Sequence, residues 1–143
     1  MNQEPLAPVV LVTGGARRVG AEIVRQLHAA GARVALHCRH SVAEAGQLAD
    51  ALNGLRPGSV AVFQADLLDS SALPGLVAEV IAQFGKLDGL VNNASSFYPT
   101  ALGEIDEAAW TDLVGSNLKA PLFLVQAAAP ALKAARGAVV NIV

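Results

Sequence analysis

The chain has 143 residues, 53% hydrophobic and 15% charged, which is enough apolar material to fill the core of one domain. Ten Lys and Arg residues against twelve Asp and Glu residues give a net charge of −2, which excludes a broad basic surface for binding nucleic acid. The single cysteine, Cys38, excludes an intrachain disulfide framework and a cysteine-rich zinc site, and is typical of a reducing compartment.

No segment predicts export or membrane insertion. Residues 1–8 contain no Lys or Arg and no long apolar stretch, so they do not resemble a secretory signal. The uncharged run 120–132 contains two prolines and is shorter than the roughly 20 residues that span a bilayer. We therefore expect a cytoplasmic protein with no membrane partner. His28 and His37 have no metal-ligand spacing around them, and we expect both to be packed or surface residues rather than metal ligands.

Five apolar runs of strand length alternate with four segments of helical periodicity. The runs are continuous rather than alternating, as in strands covered on both faces. They predict strands at 8–13, 33–38, 60–65, 87–92 and 137–143, and helices at 18–30, 42–54, 70–84 and 106–134. With right-handed crossovers, this order predicts an α/β doubly wound parallel sheet, a Rossmann-like fold, with residues 1–143 as one domain.

Turn residues support these boundaries, and the end of the sequence is unusual. Gly31 ends the first helix, and Ser41 with Glu44 predicts a capping box at the second. The fifth apolar run has nothing after it to cover it, and an open strand edge promotes association. We therefore expect the domain to be incomplete, with its C-terminal strands and helices missing from this sequence.

A glycine-rich turn, residues 13–20, joins the first strand to the first helix. At such a junction free N–H groups and the positive end of the helix dipole face one spot, where a pyrophosphate binds. Gly14 permits the tight turn, Gly20 lets the helix pack on the strand, and Arg18 replaces the usual middle glycine with a cation. The alternative is an ordinary strand-to-helix loop.

The end of the second strand predicts which dinucleotide binds. An NAD site normally has an acidic residue there, on the ribose 2′-hydroxyl. Here the sequence is Cys38-Arg39-His40-Ser41, with no acid to repel a 2′-phosphate. Arg39 offers a donor fork, Ser41 a hydroxyl, and Arg18 a second cation, so the residues favour NADPH. The alternative is a solvated basic loop.

Further motifs follow in a familiar order: Asp66-Leu67 after the third strand, Asn92-Asn93-Ala94 after the fourth, and Asn117 in the next helix. With the glycine turn, they make the chain resemble the short-chain dehydrogenases/reductases over essentially all 143 residues. Within that family the details resemble the pteridine reductases. They are Arg18, the Leu36-His37 strand end, and above all the run Asn93-Ala94-Ser95-Ser96-Phe97-Tyr98-Pro99-Thr100.

The resemblance implies roles for individual residues. Asp66 would hold the adenine amino group, Asn93 would line the ribose region, and Ser95 would bond both cofactor phosphate and pterin. Phe97 would stack on the pterin ring, against the nicotinamide; the alternative is an aromatic packed under its own loop. The resemblance also includes Val19, Leu67 and Ala94 in the cofactor site. The order Arg39-His40 departs from relatives with His before Arg, which leaves open which of the two binds the 2′-phosphate.

Asn117 precedes Pro121 by four residues, and a proline has no N–H to donate to the carbonyl of residue i−4. The freed carbonyl of Asn117 could hold a water. In the family, the equivalent asparagine holds a water that extends a proton relay to the catalytic lysine. The alternative is a simple helix kink.

The family's catalytic Tyr-x-x-x-Lys pair does not occur in these 143 residues. The only tyrosine, Tyr98, has Leu102 four residues later and so lacks the cation that would lower its pKa for acid catalysis. The family's tyrosine normally follows the fifth strand, where this sequence ends.

The residues and the resemblance together predict an NADPH-dependent pteridine reductase that transfers hydride to dihydropterin or dihydrofolate and gives the tetrahydro form. Members of the family are tetramers that pair through the helix after the fourth strand and the helix after the fifth, of which only the first is present, so the resemblance implies a homotetramer. The alternatives are another NADPH-dependent short-chain reductase of a carbonyl substrate, or a non-catalytic nucleotide-binding protein if the chain truly ends at Val143. The preference between pterin and folate stays open.

Overall fold

A computed structural model describes residues 6–143. Residues 1–5 of the N-terminal segment considered above lie outside the described residues. Within the described part, the strands are β1 (Val9–Val12), β2 (Arg33–Cys38), β3 (Val60–Gln64), β4 (Gly89–Asn92) and β5 (Ala138–Asn141). The α-helices are α1 (Arg18–Ala29), α2 (Val42–Leu55), α3 (Leu73–Phe84), α4 (Glu107–Val114) and α5 (Ala120–Ala135).

The five strands form one parallel sheet in the order β3-β2-β1-β4-β5. This order confirms the predicted doubly wound α/β fold. The chain leaves β1 toward β2 and β3 on one side and returns to β4 and β5 on the other, so the strand order reverses between β1 and β4. Ligands of such sheets bind at the carboxyl ends of the strands beside that reversal.

Two apolar clusters, one on each face of the sheet, form the core. Val9 and Leu11 of β1 belong to the cluster that α3 and α5 cover, whereas Val12 belongs to the cluster that α1 and α2 cover. All three side chains are fully buried. Because both faces are covered, β1 reads as an unbroken apolar run rather than an alternating one.

Two local features differ from the prediction. The predicted segment 106–134 is helical from Glu107 to Ala135, but it contains a π-helical turn, Gly115–Lys119, between α4 and α5 that the sequence did not predict. In this turn the Ala120 N–H donates to the Gly115 carbonyl, five residues back, just before Pro121, which has no N–H to give.

The predicted capping box at α2 is also absent. The Ser41 side chain makes no cap hydrogen bond, because the Ser41 backbone (φ −79°, ψ 49°) is outside the extended region that a side-chain cap uses. Its carbonyl still accepts the first helical bond, from the Ala45 N–H at 2.9 Å.

Among the described residues, no helix has the length and apolar character that crossing a membrane requires.

Candidate cofactor site

Glycine is required twice in the turn between β1 and α1. Gly14 has φ +60°, in the left-handed region, and a methyl group on it would lie 3.0 Å from the Ala94 Cα. A methyl group on Gly20 would overlap the Gly14 carbonyl oxygen and crowd the Asn93 amide. The turn, the start of α1 and the segment after β4 are therefore packed backbone against backbone.

Arg18 has a backbone conformation that favours glycine. It is exposed, it is the first residue of α1, and it has φ +51°. This conformation costs a non-glycine residue about 1–2 kcal/mol. Strain of this kind concentrates at functional sites. The arrangement combines a cation with the N-terminal dipole of a helix, which together attract an anion.

His37, on β2, holds this turn. The Gly14 N–H donates to His37 Nδ1 at 3.1 Å, and the Gly15 N–H donates to the His37 carbonyl at 2.9 Å. Because Nδ1 accepts, Nε2 carries the proton and donates to the Ala65 carbonyl at 2.9 Å. The expectation of free N–H groups along the turn was therefore wrong for Gly14 and Gly15. The groups left to bind an anion are those of the first turn of α1, which have no partner within the helix.

Thr13 and Asn93 bridge the strand reversal. The Thr13 hydroxyl accepts the N–H groups of Asn93 and Ala94, both at 3.0 Å, and donates to the Val91 carbonyl at 3.3 Å. The Asn93 amide donates to the carbonyls of Thr13 and Gly14 at 3.1 and 3.2 Å. Asn93 thus braces the turn from the β4 side, and its contact with a ribose stays a prediction.

The ends of β2 and β3 meet at Arg39. The guanidinium of Arg39 lies 3.3 Å from the Asp66 carboxylate, and both side chains are about half exposed. The Gln64 amide donates to the Arg39 carbonyl at 2.9 Å. Asp66 also accepts the Leu68 N–H at 3.0 Å. The predicted ligand of the 2′-phosphate and the predicted ligand of adenine are therefore direct neighbours, whereas His40 is exposed and Ser41 partly exposed beside them.

The loop after β4 carries the predicted substrate residues. It begins at Ala94, against the glycine turn, and continues through Ser95, which is exposed. The Phe97 side chain is 89% exposed, so the alternative that it packs under its own loop is wrong.

Partial burial and the carboxylates of Asp112 and Asp106 raise the pKa of Tyr98. Tyr98 therefore stays a neutral phenol at neutral pH, as the sequence predicted from its lack of a neighbouring cation.

Asn117 lies in the π-helical turn and contacts this loop through its side chain. The Ser96 N–H donates to Asn117 Oδ1 at 3.1 Å, and Asn117 Nδ2 donates to the Ser96 carbonyl at 2.8 Å. These bonds were not predicted, because the spacing of Asn117 and Pro121 concerns only the main-chain carbonyl of Asn117. The role of that carbonyl in a proton relay stays a prediction.

The sequence patterns assign no role at the site to three further residues: Thr13, His37 and Gln64. Each acts through a backbone partner far along the chain, such as Ala65 for His37. The only local indication is a polar residue at or near the end of an apolar run.

A sequence profile of the short chain dehydrogenase family matches residues 8–143. The chain belongs to the short-chain dehydrogenase family. Similar curated proteins include pteridine reductase 1 of Leishmania tarentolae, which is 40% identical over 89% of this chain and 55% of its own length. A 3-oxoacyl-[acyl-carrier-protein] reductase, FabG, of Staphylococcus aureus (strain Mu50) is 34% identical, and the alignment covers 92% of this chain and 54% of the relative. L-fucose dehydrogenase of Mus musculus is 36% identical, with 94% and 47% covered.

The chain spans about half the length of the curated relatives it matches. Their names describe oxidoreductases that act on different substrates. Family membership confirms the predicted family and an oxidoreductase ancestry.

Proposed function

We propose that this chain forms the NADPH-binding part, and half of the substrate site, of a pteridine reductase that reduces dihydropterin or dihydrofolate to the tetrahydro form. The observation that carries the proposal is Phe97: an aromatic ring, 89% exposed, on a loop that starts against the cofactor turn and is tied to Asn117. A flat heteroaromatic substrate would cover this ring by stacking on it.

Charge supports NADPH as the cofactor. Arg18 brings a cation to the N-terminus of α1, and Arg39 brings a second one to the end of the adjacent strand, β2. The segment 38–41 contains no carboxylate that would repel a 2′-phosphate. Each charge-assisted hydrogen bond contributes about 1.5–3 kcal/mol. Asp66, already paired with Arg39, would share its carboxylate with the adenine amino group.

The glycine turn supports a dinucleotide at this position. Because Gly14 and Gly20 have no side chain, the turn, Ala94 and the start of α1 approach one another closely, and the strand reversal puts the first turn of α1 at the carboxyl edge of β1. Bound NADPH would supply the hydride. Residues of this chain would hold its phosphates at the first turn of α1, near Val19, and its adenine between Asp66 and Leu67.

Substrate and proton would be handled at the loop and at the π-helical turn. Ser95 would bond both the cofactor phosphate and the pterin, and Phe97 would hold the pterin ring parallel to the nicotinamide. The Asn117 carbonyl, which Pro121 cannot pair with, would hold the water of a proton relay. The 143 residues contain no Tyr-x-x-x-Lys pair, so we assign the proton donor to none of them.

The second candidate is an NADPH-dependent reductase of a carbonyl substrate. It is favoured by the similarity to the 3-oxoacyl reductase and to L-fucose dehydrogenase, at 34% and 36% identity. Such a substrate offers no flat ring to Phe97, so the two candidates differ in what they require of that side chain.

The surface of α4 and α5 supports self-association. Large apolar side chains are exposed on these helices and on the turn between them: Trp110, Leu118, Leu122 and Phe123. A homotetramer through this surface is part of the proposal. A cytoplasmic location stays a prediction.

The test is a titration of the purified protein with NADPH and NADH, followed by dihydropterin, dihydrofolate and an acetoacetyl thioester. We expect NADPH to bind at least about tenfold more tightly than NADH, and the two pterin substrates to quench the fluorescence of the NADPH complex. Equal binding of the two cofactors would contradict the NADPH assignment. Binding of the thioester but of neither pterin would favour the second candidate.

A further inference from the structure

His37 is a buried histidine with every polar group of its ring in use. It is 1% exposed. Nδ1 accepts the Gly14 N–H, and Nε2 donates to the Ala65 carbonyl. The His37 carbonyl accepts the Gly15 N–H as well. One residue of β2 therefore holds two consecutive N–H groups of the glycine turn.

The same side chain connects two parts of the site. On one side lies the turn after β1, which faces the cofactor phosphates in the proposed function. On the other lies Ala65, the residue immediately before Asp66, which would hold adenine. The imidazole thus spans the carboxyl ends of β1, β2 and β3, and it fixes the distance between the glycine-rich turn and Asp66.

We propose that His37 is a positioning residue for the cofactor, a role that rests on the proposed function. Its neutral imidazole holds the glycine-rich turn at a fixed position relative to Asp66. Protonation of Nδ1 releases the turn and weakens dinucleotide binding.

The chemistry follows from the tautomer. A neutral imidazole with the proton on Nε2 accepts at Nδ1, whereas an imidazolium has a proton on both nitrogens and accepts at neither. After protonation, the Nδ1 proton and the Gly14 amide proton would face each other, although their two nitrogens are only 3.1 Å apart. The turn would have to move, and Gly14 would lose its partner.

The surroundings keep the ring neutral at neutral pH. Burial lowers the pKa of His37, and the Ala65 carbonyl and the Asp66 carboxylate oppose this in part. Asp66, after the end of β3, is the acidic residue near the ring, and its carboxylate is also paired with Arg39, after the end of β2. Protonation of His37 therefore takes place at a pH below about 6.5, the usual pKa of histidine.

Two substitutions distinguish the contribution of the hydrogen-bond acceptor at Nδ1 from that of the bulk of the ring. His37→Asn retains an acceptor, Oδ1, at the position of Nδ1 and does not titrate. His37→Leu has similar bulk and no acceptor, so the Gly14 N–H loses its bond. We expect His37→Leu to weaken dinucleotide binding about tenfold at neutral pH, the value of one lost hydrogen bond. We expect His37→Asn to bind within about threefold of the wild type.

The experiment measures the dissociation constant of NAD⁺ from about pH 8 to about pH 5 in the wild type and in both variants. NAD⁺ is stable in acid and has no 2′-phosphate, so no titration of a 2′-phosphate contributes. The NAD⁺ series is repeated with His40→Gln added to each protein, which removes the exposed histidine nearby. Circular dichroism at each pH confirms that each protein is folded. We expect wild-type binding to weaken below about pH 6.5 and His37→Asn binding to stay level.

The outcomes distinguish the two claims. If wild-type binding is level down to about pH 5, or if the Asn and Leu variants lose affinity equally at neutral pH, the positioning role is wrong while dinucleotide binding stands. If the wild type binds neither NAD⁺ nor NADP⁺ at neutral pH, the proposed function fails and the positioning role fails with it. Should His37→Leu not fold, the wild-type pH profile against the His37→Asn profile decides alone.

Discussion

Asn117 and Ser96 are joined by two hydrogen bonds, one in each direction, between the side-chain amide of Asn117 and the backbone of Ser96. The partners are 21 positions apart in the chain. Asn117 lies in the π-helical turn between α4 and α5, and Ser96 immediately precedes Phe97. The position of the exposed aromatic ring is therefore set by a helix outside its own loop.

Asn117→Ala removes both of these bonds and leaves the main-chain carbonyl of residue 117 in place. We expect the dissociation constant of dihydropterin from the NADPH complex to rise about tenfold, because the loop that carries Phe97 loses its attachment. The dissociation constant of NADPH should change less than threefold or so. Fluorescence titrations with dihydropterin and with NADPH measure both. Ser116→Ala is the matched control, since the Ser116 hydroxyl donates to the Asp112 carbonyl and does not reach the loop. A rise of the same size in that control would contradict the attachment.

Phe97→Ala distinguishes the two candidate substrates. The loss of a stacking ring should weaken the binding of dihydropterin to the NADPH complex by about tenfold or more, whereas the binding of a carbonyl substrate should be nearly unaffected. Leu102→Ala is the control, because Leu102 is 98% exposed on the same loop and has no aromatic ring. Equal losses for pterin and carbonyl substrates would contradict a stacking role for Phe97.

Much of this architecture is predictable from short stretches of sequence. The buried run at β1 and its glycine turn predict a strand-to-helix junction, because burial on both faces and a left-handed backbone at Gly14 leave local traces. The bond from His37 to Ala65 and the bonds from Asn117 to Ser96 leave no local trace, since they depend on how distant segments pack. The prediction of a capping box at Ser41 was wrong for a related reason: the backbone angles there are set by the turn at the end of β2.

Arg18 combines backbone strain with a positive charge at the proposed cofactor site. Replacing it with glycine should therefore raise stability and weaken cofactor binding. Arg18→Gly relieves the left-handed strain at φ +51° and should raise the free energy of unfolding by about 1 kcal/mol. It also removes the cation at the N-terminus of α1 and should weaken NADPH binding about 10- to 100-fold, with a smaller effect on NADH. Urea unfolding and fluorescence titration provide the two readouts.

Arg25→Ala is the control for Arg18→Gly, because Arg25 is an exposed arginine of the same helix, paired with Glu22. It should leave the binding of both cofactors unchanged. Equal weakening of NADPH and NADH by Arg18→Gly would mean that the arginine does not contribute to the preference between them.

Gly20→Ala tests the packing of α1 on the turn. The added methyl group would overlap the Gly14 carbonyl, which is backbone and cannot rotate away. We expect a loss of about 3 kcal/mol in the free energy of unfolding. Gly46→Ala in α2 is the matched control: a methyl group there meets open space, and the helix should gain about 0.5–1 kcal/mol. If both variants were as stable as the wild type, the close approach of α1 to the turn would be contradicted.

A second buried histidine, His28, makes the stability of the fold sensitive to acid. Its Nε2 lies 2.8 Å from the Ser59 hydroxyl, which itself donates to the Arg56 carbonyl, so Nε2 carries the proton. Burial and the nearby Arg56 guanidinium lower the pKa of His28, and burial lowers that of His37 in the same direction. The unfolded chain therefore binds protons more readily than the folded one at these two sites.

It follows that the free energy of unfolding should be highest above about pH 6.5, the value for an unfolded histidine, and should fall as the pH drops through it. His28→Gln retains a donor near the position of Nε2 and does not titrate. We expect the urea midpoint of the wild type to drop between about pH 7.5 and about pH 5.5, and that of His28→Gln to drop less. His40→Gln, at an exposed position, serves as the control. A wild-type midpoint that is level over this range would contradict the assignment of a neutral, buried His28.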